Sequence, residues 1–262
     1  MSNASTAFVL QEQPQTGVVR LVMNRPDSFN ALSSEMLSAL EEALVQASES
    51  PDCRVIVLAA LGKAYCAGHD LREMRSQPDH DFYTQLFAQC SRMMMRIQQL
   101  PQPVIAQVQG IATAAGCQLV AMCDLAVAAD TAKFAVSGIN YGLFCATPSV
   151  GLSRNMHRKQ AMEMLLTGDF IDAHTAVERG LINQAVAADD LVQTVLALCA
   201  KISAKPETAV RLGKGLFYQQ LEMGVQAAYQ LAGQTMACNM MHDSAQEGFQ
   251  AFIEKRKPTW TA

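Results

Sequence analysis

Residues 107–129 read QVQGIATAAGCQLVAMCDLAVAA, and the order of residue types in this stretch sets the expectation for the fold. Val104 to Gln109 alternates apolar and polar side chains, as a half-buried strand does. Gly110, Ala112, Ala114, Ala115 and Gly116 then remove almost all side-chain bulk where a helix should begin, and a second strand follows that helix. The first amides of a helix have no partner within it, and its dipole favours a negative oxygen at that end. Close packing of a helix on a sheet selects the same small residues, so both readings stay open on this stretch alone.

A second turn of the same kind, LGKAYCAGHDL over residues 61–71, follows Val55-Ile56-Val57-Leu58. That run has the continuous β-branched character of a strand buried in a parallel sheet. Two such turns can each aim one amide at a single carbonyl oxygen, forming an oxyanion hole without a charged side chain. That the two turns meet is an expectation.

Several motifs together resemble one family. Asn24-Arg25-Pro26 with Asn30-Ala31-Leu32, the run Tyr65 to Leu71 and the segment Gly110 to Asp124 look like the crotonase (enoyl-CoA hydratase/isomerase) superfamily. The likeness continues through Leu166-Thr167-Gly168, Ala176 to Leu181 and Glu254 to Pro258, and so covers essentially the whole chain. Asn140 to Pro148 and the tail KRKPTW are most similar to the mitochondrial enoyl-CoA hydratase domain-containing subgroup.

The resemblance implies an α/β fold: a crotonase-like spiral of β-β-α units over residues 1–200. A helical region over 201–262 would then trimerise the chain, as a homotrimer or dimer of trimers, and complete a coenzyme A pocket. It assigns an oxyanion hole to the backbone amides of His69 and Ala115. The substrate or ligand would be a coenzyme A thioester, with no prosthetic group. The coenzyme would lie along the Arg25 turn and the segment containing Lys63, Ala67, His69, Asp70 and Leu71. Arg25 and Lys63 are candidate phosphate partners, and ordinary solvated charges are an equal reading.

One departure bears on mechanism. Hydratases of this family hold and deprotonate a water with two glutamates, whose positions fall here at Gln118 and Gly138. A carboxamide can orient a water but cannot take its proton. Each lost acid–base group costs about 100- to 10,000-fold. The expected activity is therefore of the hydratase/isomerase type with very weak hydration, leaving double-bond isomerisation or thioester hydrolysis. The alternative is a module that binds or sequesters acyl-CoA without turnover.

Other residues carry competing readings. The His69 side chain is either a substitute base or a passenger beside its own amide. Asp70 reads as a brace for its loop, and Asp124 as a tie between the helix end and the sheet. Cys145 could attack a thioester as a thiolate, although buried cysteines are mostly inert. Asn140 and Tyr141 offer only neutral hydrogen bonds. His80, His157, His174 and His242 fall at polar helix positions or helix ends, and no metal-ligand spacing or nucleotide-binding glycine loop occurs.

The 262 residues, half of them hydrophobic, suffice for one core with an appendage, and the net charge of −4 argues against general nucleic-acid binding. An RNA-binding branch of the family uses a lysine-rich helix; the matching segment, residues 33–50, has four glutamates and no lysine. The eight cysteines lack CxxC spacing and read as reduced thiols. No apolar run is long enough to span a bilayer, and the start, MSNASTAFVL, lacks the basic region of a signal peptide. The expected location is bacterial cytoplasm, or the mitochondrial matrix in a eukaryote.

Along the chain, Gly17 to Met23 reads as a strand. Ser33 caps a helix striped by Met36, Leu37, Leu40 and Leu44. The helix between Pro78 and Pro101 places Phe82, Leu86, Cys90, Met93, Ile97 and Leu100 on one face, with the methionines 93–95 as adaptable core. Phe134 to Val136 reads as a strand and Gly138 to Pro148 as an irregular loop. Beyond about Lys201 only helices are expected: 207–222, 225–241 and 244–255.

Overall fold

Two mainly parallel sheets are threaded alternately by the chain, each central passage placing one strand in each sheet. The computed structural model describes residues 7–260; residues 1–6, on which the reading of the chain start rests, lie outside the described residues. An antiparallel pair, β1 (Val9–Gln15) and β2 (Val18–Met23), opens the larger sheet, and α1 (Ser34–Glu49) follows. Next come β3 (Val55–Ala60), β4 (Ala64–Cys66), the short α2 (Leu71–Ser76) and the long α3 (His80–Gln99). The second passage is β5 (Val104–Val108), β6 (Ile111–Thr113) and α4 (Ala115–Met122). The third is β7 (Leu125–Ala129), β8 (Lys133–Ala135), a 3-10 turn over Ser137–Tyr141, α5 (Ala146–Asn155) and α6 (Arg158–Thr167). Then β9 (Ile171–Asp172), α7 (Ala173–Glu178) and β10 (Gln184–Val186) close the sheets, before α8 (Leu191–Ser203), α9 (Glu207–Leu221), α10 (Val225–Met240) and α11 (Asp243–Ile253).

The six-stranded sheet runs β1-β2-β3-β5-β7-β10 and the four-stranded sheet β4-β6-β8-β9. From β2 to β10 every pairing in the large sheet is parallel, as is β4-β6-β8 in the small one. This is the spiral of β-β-α units that the sequence resemblance implies.

Both faces of the large sheet are covered, which explains its apolar sequence. Ile56, Leu58, Val104, Ala106 and Val108 join the core with α1, α3 and α4, whereas Val55, Val57, Ile105 and Val127 pack with Leu191, Val195 and Cys199 of α8. The expectation that Val104–Gln109 is half-buried is corrected by this arrangement. All five residues of β5 are buried, Gln107 included, because α8 occupies the face that alternation assigned to solvent. Residue 200 falls within α8.

The helix readings hold. Ser33 accepts the Met36 amide at 3.1 Å, and Met36, Leu37, Leu40 and Leu44 are buried. On α3 the buried residues are Leu86, Cys90, Met93, Met94 and Ile97; Met95 is exposed. The Gly138–Pro148 segment is more regular than expected, since it holds the 3-10 turn and the start of α5.

Asp124 does more than tie α4 to the sheet. Its Oδ2 accepts the Val104 amide at 2.6 Å and the Lys214 ammonium at 2.7 Å, while Tyr218 donates to Oδ1 at 2.8 Å. Lys214 also donates to the carbonyls of Ile97 and Gln102, each at 2.8 Å, so all three of its protons are used. Burial pushes the Lys214 ammonium down and the Tyr218 hydroxyl up, with Asp124 opposing the first shift and adding to the second. This cluster docks α9 on the core. Lys214→Ala leaves a largely buried carboxylate, 13% exposed, without its cation; for a fully buried pair such a change costs about 3–5 kcal/mol. Because Asp124 keeps two other donors, a loss of about 3 kcal/mol is expected in chemical denaturation. An unchanged denaturation midpoint would remove the cluster's role as anchor.

Candidate active site

The two small-residue turns meet. A Cβ added to Gly68 would lie 2.9 Å from Ala114 Cβ and 3.3 Å from the Ala115 amide nitrogen. Neighbouring positions in the small sheet enforce the approach: β4 pairs with β6, and the segments leaving them, toward α2 and α4, run side by side. Gly110 sits on the Lys63 carbonyl and Gly116 on the Cys66 carbonyl, with no room for a methyl group at either. These two glycines therefore serve close packing, as one reading of the sequence held. Gly68 adds a requirement of its own, φ +90°.

Ala114 and Ala115 serve the other purpose, lining a cavity of ≈ 180 Å³. Ala115 is the first residue of α4, so its amide has no helical acceptor behind it. His69 forms a parallel bridge with Leu32 that uses the Gly68 carbonyl and the Asp70 amide, leaving the His69 N–H outside that ladder. Ala114, immediately before the free amide, holds φ 51° and ψ −121°. That conformation is strained for a residue bearing a Cβ, and such strain gathers at sites that need a fixed backbone direction.

Around these amides the wall is almost wholly apolar: Ala67, Leu71, Met74, Phe87, Leu143, Phe144 and Pro148, with Ser137, Gly138, Tyr141 and Cys145. The long helix α3 contributes only Phe87, and α2 adds Leu71 and Met74. Asp70 braces its loop, as read from the sequence: one carboxylate oxygen accepts the amides of Arg72 and Glu73 at 2.8 and 3.2 Å, capping α2.

His69 is among the residues that line the cavity. Its Nδ1 lies 3.3 Å from the Leu32 carbonyl oxygen, which can only accept, so Nδ1 carries the proton. Nε2 is then a lone-pair acceptor, buried, with no hydrogen-bond partner among the described residues. Burial pushes its pKa below 6.5, against smaller opposing effects of the Leu32 hydrogen bond and the Glu73 charge.

Gln118 lies one turn past Ala114 and Ala115 on the same helix face, is 4% exposed, and its Oε1 is buried with no partner among the described residues. Gly138 is closed to any side chain. A Cβ there would stand 2.6 Å from the Leu143 carbonyl oxygen and 2.8 Å from Cys145 Sγ. The loop is held in that position by the Leu143 amide, which donates to the Gly138 carbonyl at 3.0 Å. Cys145 thus fills the space a residue-138 side chain would enter. Its thiol is pushed up by burial, partly offset by the Gly138 amide.

Arg25 and Lys63 lie on adjoining turns, since a Cβ on Gly62 would be 2.7 Å from Pro26 Cβ. The wholly buried Asn30 knits them together: its Oδ1 accepts the Arg25 amide at 2.9 Å, and its Nδ2 donates to the carbonyls of Leu61 and Ala64. The Arg25 guanidinium stacks 3.7 Å above the Phe8 ring, and Lys63 is exposed.

Residues 13–262 match the family model described as enoyl-CoA hydratase/isomerase. The chain belongs to the enoyl-CoA hydratase/isomerase family. This family member is 43% identical over 261 residues to the mitochondrial enoyl-CoA hydratase domain-containing protein 3 of Danio rerio, covering all of this chain and 90% of the relative. The crystal structure of a Mycobacterium smegmatis enoyl-CoA hydratase superposes with TM-score 0.94 at 58% identity, covering 97% of this chain and 98% of that one. Human enoyl-CoA hydratase domain-containing protein 3 gives TM-score 0.92 at 42% identity, covering 97% of this chain and all of that one.

The site of this family member yields two predictions. Gly138→Ala forces a methyl group against a main-chain oxygen, so it should lower stability by about 1–3 kcal/mol, the usual cost of overpacking. A thermal shift equal to that of Gly224→Ala, where φ is −65° and a Cβ meets nothing within 4 Å, would contradict the closed loop. Because burial raises the Cys145 thiol above 9.0, iodoacetamide at neutral pH should label exposed Cys238 first. Cys145 labelling should accelerate only on the alkaline side of that value. Rapid Cys145 labelling at pH 7, read by peptide mass mapping, would show an activated thiolate instead.

Proposed function

We propose that the chain binds a coenzyme A thioester and polarises its carbonyl between the amides of His69 and Ala115, using them as an oxyanion hole. One observation carries this reading: two separate turns touch, His69 of one and Ala115 of the other line the same apolar cavity, and the backbone before Ala115 is strained. Donors fixed in a water-poor cavity stabilise developing negative charge without reorganising, and one such donor is worth about 100- to 1000-fold in rate. In this reading Arg25 and Lys63 meet phosphates of the coenzyme and Ala67, Asp70 and Leu71 flank it. The apolar wall takes the acyl chain. No metal or prosthetic group has a part in it.

The proposed chemistry is of the hydratase/isomerase type but poor at hydration, because the positions of the two water-activating carboxylates hold Gln118 and Gly138. The closed geometry at Gly138 favours this over a hydratase that has merely relocated one group, since no side chain enters there. Binding without turnover is the remaining alternative. The proposal extends to assembly. Helix α10 buries no residue, with Tyr229 76% and Met236 69% exposed, which suits a helical region, residues 201–262, that joins copies of the chain as a trimer. The partners are then an acyl-CoA and the chain itself, in bacterial cytoplasm or the mitochondrial matrix.

Calorimetry with butyryl-CoA and with free coenzyme A tests the site: the thioester should bind more tightly than the thiol. Hydration of crotonyl-CoA should run at least about 10,000-fold below a family hydratase bearing both glutamates. Gln118→Glu should recover roughly 100-fold of that loss. Gly138→Glu should recover nothing, because the side chain collides with the Leu143 carbonyl. Wild-type hydration at an ordinary hydratase rate would refute the reading.

A further inference from the structure

Among the described residues that line the cavity, three side chains can titrate: His69, Tyr141 and Cys145. No carboxylate is among them. Tyr141 is 80% exposed at the rim, and Cys145 is a thiol that burial keeps protonated. That leaves the imidazole, whose proton is committed to Nδ1 by the Leu32 carbonyl and whose Nε2 lone pair meets no donor from the protein. A buried acceptor left unsatisfied is a cost that a folded protein rarely carries without a ligand or a catalytic use for it. The ring is fixed on its other sides. Phe87 of α3 meets it edge-on at a centroid distance of 5.4 Å, and the nearest anion acting on it is Glu73 of α2. The Glu73 carboxylate is itself held by the Ser34 amide at 3.0 Å.

We infer that the His69 imidazole is the catalytic base of this site and that the reaction it serves is proton transfer at the carbon next to the thioester carbonyl. The inference rests on the acyl-CoA reading above and adds to it the reaction class and the group that moves the proton. Nε2 takes a proton from Cα. The C–H bonding pair becomes the C=C bond of an enolate, and the carbonyl π pair moves onto oxygen, where the amides of His69 and Ala115 hold it. The imidazolium then returns the proton. Return to Cα exchanges the hydrogen; on a 3-enoyl chain, loss of the Cα proton and its return to Cγ moves the double bond to C2, and the reverse begins with a Cγ proton taken from a 2-enoyl chain and returned to Cα. No water is added and no electrons leave the substrate. One residue thus supplies both an oxyanion donor, from its backbone, and the base, from its side chain.

The experiment follows the α-proton signal of butyryl-CoA by NMR in deuterated buffer, with calorimetric affinity measured on the same samples. The wild type should exchange that proton well above the enzyme-free rate. His69→Gln keeps both backbone amides, so its affinity should stay within about threefold while exchange falls by about 100-fold or more. Exchange that survives in His69→Gln overturns the assignment, as does wild-type protein that binds butyryl-CoA without exchange. Failure to bind at all overturns the acyl-CoA reading and this inference with it, so the two failures are distinct. If His69→Gln does not fold, the wild-type pH profile decides. Exchange should fall as the pH drops from about 7.5 toward 4.5, because protonation removes the lone pair. An exchange rate that rises on acidification excludes His69 as base.

Discussion

The contact on which the site depends is between two stretches of main chain. The turn after β4 and the start of α4 touch through Gly68 and Gly116, and the segments entering β4 and β6 touch at Gly110; at each, even a methyl group would collide with backbone or with Ala114. Side chains cannot create so close an approach; only their absence permits it. The sheet order makes the approach unavoidable, because β4 and β6 are neighbours and the chain leaves both in the same direction. His69 and Ala115 come to line one cavity as a consequence of packing, before any chemistry is asked of them. Function and close packing, rival readings of the small-residue runs, are here assigned to different residues of the same run: the glycines pack and the alanines line.

Much of this was legible in the sequence because it is local. Helix α1 declares itself by Ser33 and a four-residue stripe, and the helical C-terminal region by the loss of strand signal. The family likeness carried the spiral, which no internal repeat reveals. What escaped is non-local. Six residues of weak alternation at Val104 gave no hint that α8, nearly a hundred residues on, covers the second face of β5. The cluster of Asp124, Lys214 and Tyr218 joins residues about ninety apart, and a lone lysine on an amphipathic helix reads as solvated surface. At position 138 the sequence shows only a glycine; the Leu143 carbonyl beside it shows that the position is sterically closed.

Closure at residue 138 changes what the substitution means. A glutamate lost from an open position leaves a space into which water or another carboxylate can move. Here Cys145 fills that space, and the 3-10 turn, the Leu143 carbonyl and the start of α5 are packed around it. Reversal would require the whole segment from Ser137 to Ala146 to move. The loop is packed and hydrogen-bonded around a residue with no side chain at 138.

A wall without carboxylates also alters the electrostatics. Ionised glutamates beside an enolate oxygen would oppose its negative charge, and in a cavity of low polarity that repulsion is poorly screened. In the proposed site, neutral groups at 118 and 138 would let the two amide dipoles act on the oxygen unopposed, with an apolar lining that disfavours the water that would weaken them. Adding water across a double bond needs groups to hold and deprotonate that water; moving a proton to and from carbon needs a single base. An uncharged imidazole meets that need at lower electrostatic cost than a carboxylate, because it becomes positive as the oxygen becomes negative. The charge pair is created and destroyed together, and between turnovers the cavity wall carries no ionised group that burial would penalise.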